Sequence, residues 1–254
     1  MLEALIFDVD GTLADTERDL HRVAFNEAFR AEGLDVDWDV ALYGRLLAVT
    51  GGKERLTHYF TQVSPERRPA GDLDAVVRRL HARKTEAFAH RLTTVGVQLR
   101  PGVRRLLEEA RAAGLLLAIA TTTTPENLVP ILQALGPDGA SWFQVIAAGD
   151  VVRHKKPAPD IYTYALAALQ RPAACAMAFE DSENGLRAAL GAGLRTIVTV
   201  NDYTRDQRFD GALTVVDQLG EAAQPLRHLA GRDPGGPMIN LAVLQQWSDI
   251  HPGS

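Results

Sequence analysis

Five short apolar runs, most of them giving way to polar residues at the C-terminal end, constrain this chain more than any other feature. They cover Ala4–Asp8, Leu115–Thr121, Phe143–Ala147, Cys175–Phe179 and Arg195–Val200. Runs this short and this continuously apolar predict strands buried on both faces, as in a parallel sheet. Amphipathic stretches separate most of them. Gly102–Ala113 carries Leu106, Leu107 and Ala110 at helical spacing, Asp160–Leu169 is a second such stretch, and Glu183–Ala192 is a third that stops at Gly193. Alternation of this kind predicts an α/β fold, a doubly wound parallel sheet of Rossmann-like type.

Residues 16–95 break the alternation. They hold no convincing strand but four helical patterns, Leu20–Ala31, Asp39–Ala48, Lys53–Phe60 and Leu73–Arg91, with a loop marked by Pro65, Pro69 and Gly71. An inserted α-helical cap over residues 16–95 is expected, with the sheet domain formed by residues 1–15 and 96–224. From Pro225 to the end the chain is rich in Gly and Pro, with one apolar patch at Ile239–Leu244. That stretch, 225–254, is expected to be a packed or partly ordered tail.

Composition bears on partners. The net charge is −5, so no global basic field exists for nucleic acid, and an anionic ligand must be met by local cations or a metal. The single cysteine, Cys175, cannot form an intramolecular disulfide. Apolar runs such as Leu115–Ala120 are too short to span a bilayer. The chain opens on a strand-like segment, Leu2–Phe7, in place of a charged and apolar leader. A cytoplasmic protein is expected, a monomer with no nucleic-acid or membrane partner.

Four polar clusters accompany the strands. Asp8-Val9-Asp10-Gly11-Thr12 follows the first, and strand alternation puts Asp8 and Asp10 on one face. Alone, Asp-Gly reads equally well as a turn. Thr121-Thr122-Thr123-Thr124 precedes a helix that starts near Pro125, and its hydroxyls and N–H groups suit a phosphate, although a threonine N-cap is the plainer reading. Lys155-Lys156-Pro157 holds Lys156 in extended geometry, because a residue before proline avoids the helical region. An isolated lysine pair would simply be solvated. Glu180-Asp181-Ser182 supplies oxygen ligands of the kind Mg²⁺ takes, though acids in a helix's first turn also complement its dipole. Each cluster is modest; their order at the ends of sheet strands is not.

That order, acid pair, hydroxyl, lysine, acid pair, resembles the four motifs of the haloacid dehalogenase superfamily over roughly residues 1–222. The resemblance implies catalysis by Asp8, Asp10, Thr121 and Lys156. Asp8 would attack phosphorus and form an acyl phosphate, and Asp10 would protonate the leaving oxygen and then deprotonate water. Thr121 and Lys156 would hold the phosphoryl oxygens, and Mg²⁺ would be bound by Asp8, Asp10, Glu180 and Asp181. An acid at position 10 implies phosphate ester hydrolysis or phosphosugar mutase chemistry, since the dehalogenases proper need none there. Phosphatase is the expected activity. A β-phosphoglucomutase-like mutase is the alternative, and a non-catalytic binding module on a hydrolase fold is a second.

The insert resembles the helical cap of the β-phosphoglucomutase-like branch. Within it, Gly51-Gly52 precedes a helix whose first turn holds Lys53, Glu54 and Arg55. Cations there oppose the helix dipole, and such a local conflict marks an expected site. A second substrate phosphate would resolve it. Glu17 and His21 share a face, as do His81 and Lys84. The combination with DVDGTLADTE, LHRVAFNEAF, TGGKER and KKPAPDIY resembles CbbY-type phosphatases. It implies a phosphorylated sugar, xylulose 1,5-bisphosphate, touching Glu17, Gly51, Gly52, Lys53, Glu54, Arg55, His81, Lys84, Thr122, Thr123 and Asn127. The chain departs from that pattern in its extended tail and in Pro125, which removes one backbone donor.

Overall fold

In the computed structural model, which describes residues 1–249, the apolar runs form one seven-stranded sheet. Its strands are β1 (Ala4–Phe7), β2 (Leu116–Ala120), β3 (Val145–Ala147), β4 (Ala176–Glu180), β5 (Arg195–Thr199), β6 (Thr214–Val216) and β7 (His228–Gly231). The order across the sheet is β3-β2-β1-β4-β5-β6-β7, and every pairing is parallel except β6 with β7. The chain therefore winds outward from β1 first to one side and then to the other. A crevice opens at such a reversal, at the carboxyl ends of the central strands. β1 lies between β2 and β4, with Phe7 level with Ile119 on one side and Phe179 on the other. The Phe7 and Phe179 rings stack at 4.3 Å.

The expected strands agree with the sheet to within two residues; β6 and β7 were not foreseen. Helices α5 (Val103–Ala112), α6 (Pro125–Gln133), α7 (Asp160–Leu169) and α8 (Glu183–Gly191) connect the strands, and the helices of the insert precede them. Alternating side chains of the strands feed two apolar layers. Leu5, Phe7, Leu117, Ile119, Met177 and Phe179 face α5 and α6. Ala4, Ile6, Ala118, Ala120 and Ala178 face α7 and α8. The small residues on that second face let α7 come close enough to bury Ile161, Tyr162 and Ala165 against the sheet.

Residues 16–95 form α1 (Arg22–Ala31), α2 (Val40–Leu46), α3 (Gly52–His58) and α4 (Leu73–Val95). They enclose their own apolar cluster, built on Phe25, Phe29, Trp38, Tyr43, Tyr59 and Phe60. Asn26 clasps the Trp38 backbone, donating to its carbonyl at 3.0 Å and accepting from its N–H at 2.9 Å. The helix expected from Leu20 begins differently. Glu17–His21 forms a wide π turn, in which the His21 N–H donates to the Thr16 carbonyl at 2.8 Å. The extra residue in that turn buries both Leu20 and His21.

The stretch from Pro225 belongs physically to the sheet domain. β7 extends the sheet, and a ninth helix, α9 (Leu241–Ser248), packs beside α5. Ile239, Leu244 and Trp247 join the same apolar layer as Leu106 and Leu107. The last five residues of the expected tail lie outside the described residues.

Candidate active site

Asp8 stands one residue past β1, and its N–H still donates to the Phe179 carbonyl at 3.0 Å. The backbone then turns at Gly11, which has φ 86°. A side chain there would strike the Asp181 carboxylate and come within 2.6 Å of Asn201 Nδ2, so only glycine lets the turn approach. Around Asp8 the three remaining clusters converge. Lys156 Nζ lies 2.7 Å from Asp8 Oδ1 and 2.5 Å from Glu180 Oε1. Donor atoms of Asp8, Glu180 and Asp181 lie within 4.8 Å of one another. All three side chains are buried.

This grouping is electrostatically short of positive charge. Burial pushes the Asp8 carboxyl up to about 8 against the pull of Lys156, and nearby Glu180 and Asp10 add to the rise. Burial, with Asp8 and Glu180 alongside, raises Asp181 well above the carboxylate range. Three hard oxygen donors facing each other with one lysine between them fit a divalent cation, which would favour the ionised forms. Asp10 does not share in this cluster. Its carboxylate turns the other way, accepting from Thr16 and Thr123 hydroxyls and meeting His21 Nε2 at 2.9 Å. The expected metal role of the Asp10 side chain thus has no support in the geometry, because both oxygens are taken up by these partners. Burial alone would raise Asp10, but His21, Thr123 and Thr16 together hold it below the usual carboxylate range.

His21, read from the sequence only as sharing a face with Glu17, takes a larger part in the site than expected. It stacks on Phe88 with ring centroids 3.9 Å apart, and its Nδ1 meets Lys84 Nζ, so a chain of polar contacts runs from the cap to Asp10. The π turn, which periodicity could not reveal, delivers it there. Thr16, Tyr162 and Asn201 were missed. Asn201 donates to Asp181 Oδ2 at 2.7 Å; its place just past β5 is the same strand-end signal that marked the other clusters.

The remaining predicted residues divide into two groups. Glu17, Gly51, Gly52, Arg55, His81, Lys84, Thr121, Thr122, Thr123 and Asn127 line one pocket with Asp8, Asp10, Lys156 and Asp181. Glu17 Oε2 accepts from the Tyr43 hydroxyl at 2.5 Å. The buried Arg55 donates to the Leu46 carbonyl at 3.2 Å and to Tyr43 Oη at 3.1 Å. Lys84 is lowered to about 8 by burial, although Asp10 and Glu17 oppose the change. Burial, then Lys84 and Lys53, lower His81 to about 4, which leaves its imidazole neutral at pH 7. Asn127 Oδ1 and Thr124 Oγ1 are buried in the pocket wall with no hydrogen-bond partner among the described residues. A buried acceptor without a partner is costly, and a ligand hydroxyl would relieve it.

Lys53 and Glu54 are not brought into this pocket. Both line a shallow outer hollow with Thr57 and His58. Lys53 Nζ reaches across to Asp150 Oδ2 at 2.5 Å, and Lys155 takes the other oxygen at 2.6 Å. Hydrogen bonds from these two lysines hold Asp150 down to about 2. Glu54 folds its carboxylate back over Gly51. The conflict between Lys53 and the helix dipole is therefore met by the protein's own acids, not by a pocket-facing ligand.

A buried carboxylate just past the central strand, a lysine and an acid cluster around it, and a helical cap over the crevice fit a phosphotransfer hydrolase. A family model for haloacid dehalogenase-like hydrolase matches residues 2–193. The chain belongs to that family, and it is a phosphatase. It is 48% identical over 248 residues to protein CbbY of Cupriavidus necator, covering 97% of this chain and 96% of that one. The crystal structure of CbbY from Rhodobacter sphaeroides in complex with phosphate superposes with a TM-score of 0.79 at 47% identity, over 88% of this chain and 98% of that one. A D10N variant of the same CbbY, in complex with xylulose-(1,5)bisphosphate, gives a TM-score of 0.78 at 47% identity with the same coverage. Hydrolases of this family generally use a divalent metal, and the Asp8–Glu180–Asp181 cluster is suited to one. No helix among the described residues is long and apolar enough to cross a membrane.

Proposed function

We propose that the chain is a magnesium-dependent sugar bisphosphate phosphatase that works through a phospho-aspartyl intermediate, with xylulose 1,5-bisphosphate as its substrate. The observation that carries this reading is the placement of cations in one pocket. Lys156 lies against Asp8 on the sheet side, while Arg55 and Lys84 line the cap side. A monophosphate would need only the first set; a substrate with phosphate at both ends uses both. The likeness to a CbbY that binds xylulose-(1,5)bisphosphate supports the choice of sugar.

In the first half-reaction, Asp8 attacks phosphorus in line with the departing sugar oxygen, and a P–O bond to Asp8 forms as the bond to the sugar breaks. Lys156 offers positive charge to the phosphoryl oxygens, and Thr121 borders them. Magnesium, held by Asp8, Glu180 and Asp181, would offset repulsion between an anionic nucleophile and an anionic substrate. Asp10 gives its proton to the leaving oxygen. An incoming phosphate raises Asp10 from its lowered resting value, because nearby like charge favours the protonated carboxyl. In the second half-reaction, Asp10 takes a proton from water as that water attacks phosphorus and Asp8 is released. The cap, closed through Asn184 to Thr50 at 3.2 Å and to the Ala48 carbonyl at 3.0 Å, keeps other water from the intermediate.

The test is a panel of pentose and hexose mono- and bisphosphates scored by released phosphate, with magnesium and with a chelator. Xylulose 1,5-bisphosphate should have the highest kcat/KM, and the chelator should abolish turnover. Conversion of glucose 1-phosphate to glucose 6-phosphate in the presence of a trace of bisphosphate would instead establish a mutase. No phosphate release from any member would leave a binding module.

A further inference from the structure

Tyr162 lies on α7 at the end of the KKPAPDIY segment, and nothing above assigns it a role. Its hydroxyl donates to Glu180 Oε1 at 2.6 Å, the same oxygen that accepts from Lys156 Nζ at 2.5 Å. The Lys156 ammonium also lies over the Tyr162 ring, 5.2 Å from its centroid. Both Tyr162 and Glu180 are fully buried. Glu180 has no room to swing away, because α8 packs Gly185 so closely on its carboxylate that a β-carbon there would overlap it. The carboxylate is thus boxed between a glycine backbone, a phenol and an ammonium.

An ammonium has three N–H groups. On Lys156 two of them point at Asp8 Oδ1 and Glu180 Oε1, at 2.7 and 2.5 Å. Two fixed partners determine the rotation about the Cε–Nζ bond, and so determine where the third N–H points. Lys156 is only 5% exposed, yet it lines the pocket. We propose that Tyr162 is a positioning residue: by holding Glu180 Oε1 in place it fixes the rotation of the Lys156 ammonium, and so aims the remaining N–H at a phosphoryl oxygen of the substrate. This rests on the phosphatase reading above. Without the hydroxyl, Glu180 Oε1 loses one of its two donors, and the carboxylate can tilt within its box. Lys156 then samples more orientations than the useful one.

Tyr162→Phe isolates the effect, since it keeps the ring, its packing and its contact with the ammonium. With xylulose 1,5-bisphosphate and magnesium, kcat should fall by about tenfold to a hundredfold, the range for a hydrogen bond to a charged group. KM should stay within about twofold, because the aim of the N–H matters most for the planar set of equatorial oxygens formed in the transition state. The decisive measurement is a double-mutant cycle with Glu180→Ala, which removes the accepting oxygen. If Tyr162 acts through Glu180, adding Tyr162→Phe to Glu180→Ala should change the residual rate by no more than about twofold. Thermal midpoints measured alongside establish that each variant is folded. An unchanged kcat in Tyr162→Phe overturns the proposal, as does the same loss in both backgrounds or a loss confined to KM. An inactive wild-type enzyme would instead overturn the phosphatase reading itself.

Discussion

The sheet side and the cap side of the pocket are built from opposite materials. On the sheet side, Asp8, Glu180 and Asp181 crowd round a single lysine, all of them on or just beyond parallel strands that share hydrogen bonds with their neighbours. On the cap side, Arg55 and Lys84 project from helices around an aromatic cluster, with a neutral His81 beside them. The excess of negative charge suits a cation and a nucleophile; the excess of positive charge suits the far end of an anionic substrate. On the proposed function the difference is a division of labour: strand ends would perform the chemistry, and the helical cap would choose what is admitted.

Breaking the sheet side should have the largest effect. Asp8→Asn should lower turnover by roughly ten-thousandfold or more, as loss of a nucleophile does elsewhere. Because burial pushes the Asp8 carboxyl up to about 8, the neutral amide should not lower the thermal midpoint of the metal-free protein. Normal turnover by this variant would remove Asp8 from the mechanism. Asp10→Asn comes next, with a loss of about a hundredfold to ten-thousandfold, the usual worth of a general acid–base group.

The cap side should respond in KM. Arg55→Ala or Lys84→Ala should each raise KM for xylulose 1,5-bisphosphate by about tenfold to a hundredfold, since each removes a charge-assisted contact to phosphate. KM for a small monophosphate should move far less, and equal effects on both substrates would refute a second phosphate site.

The pH dependence sharpens the same contrast. Lys84, with its pKa lowered to about 8, is charged below that pH and loses its proton as pH rises through it. KM for the bisphosphate should therefore climb above about pH 8, and Lys84→Met should flatten that limb. The sign for stability is opposite. Between about 8 and the unfolded value of 10.5 the unfolded chain binds this proton more tightly, so this group's contribution to stability increases with pH across that interval. The smallest effect belongs to Lys53→Ala. Its partner Asp150 is largely exposed, and an exposed ion pair contributes little; both KM values should stay within about threefold.

Much of the sheet side was legible beforehand. Strand ends show in a sequence because a buried parallel strand is apolar to its last residue, so a carboxylate or hydroxyl directly after it is conspicuous. Asp8, Thr121 and Glu180 stand out in this way, and Asn201 could have been found by applying the same rule to β5. The cap was legible as helices but not in its details. Nothing in the pattern 16–31 distinguishes a π turn from an ordinary helical start, yet that turn carries His21 to Asp10. Lys53 and Arg55, two residues apart, looked equivalent. Packing sends one to Asp150 outside and the other inward beneath Tyr43.

By itself, the sequence determined the class of fold and the four strand-end clusters, because these follow from local pattern and chain order; the nucleophilic role of Asp8 came from the family resemblance. Tertiary structure alone decided which way each polar side chain turns. It took the Asp10 carboxylate out of the acid cluster, folded residues 225–248 into the sheet domain, and placed Tyr162 behind Glu180. The physical reason is that hydrogen-bond partners and burial are set by residues tens to more than a hundred positions apart. Periodicity reports only which face of its own element a residue occupies.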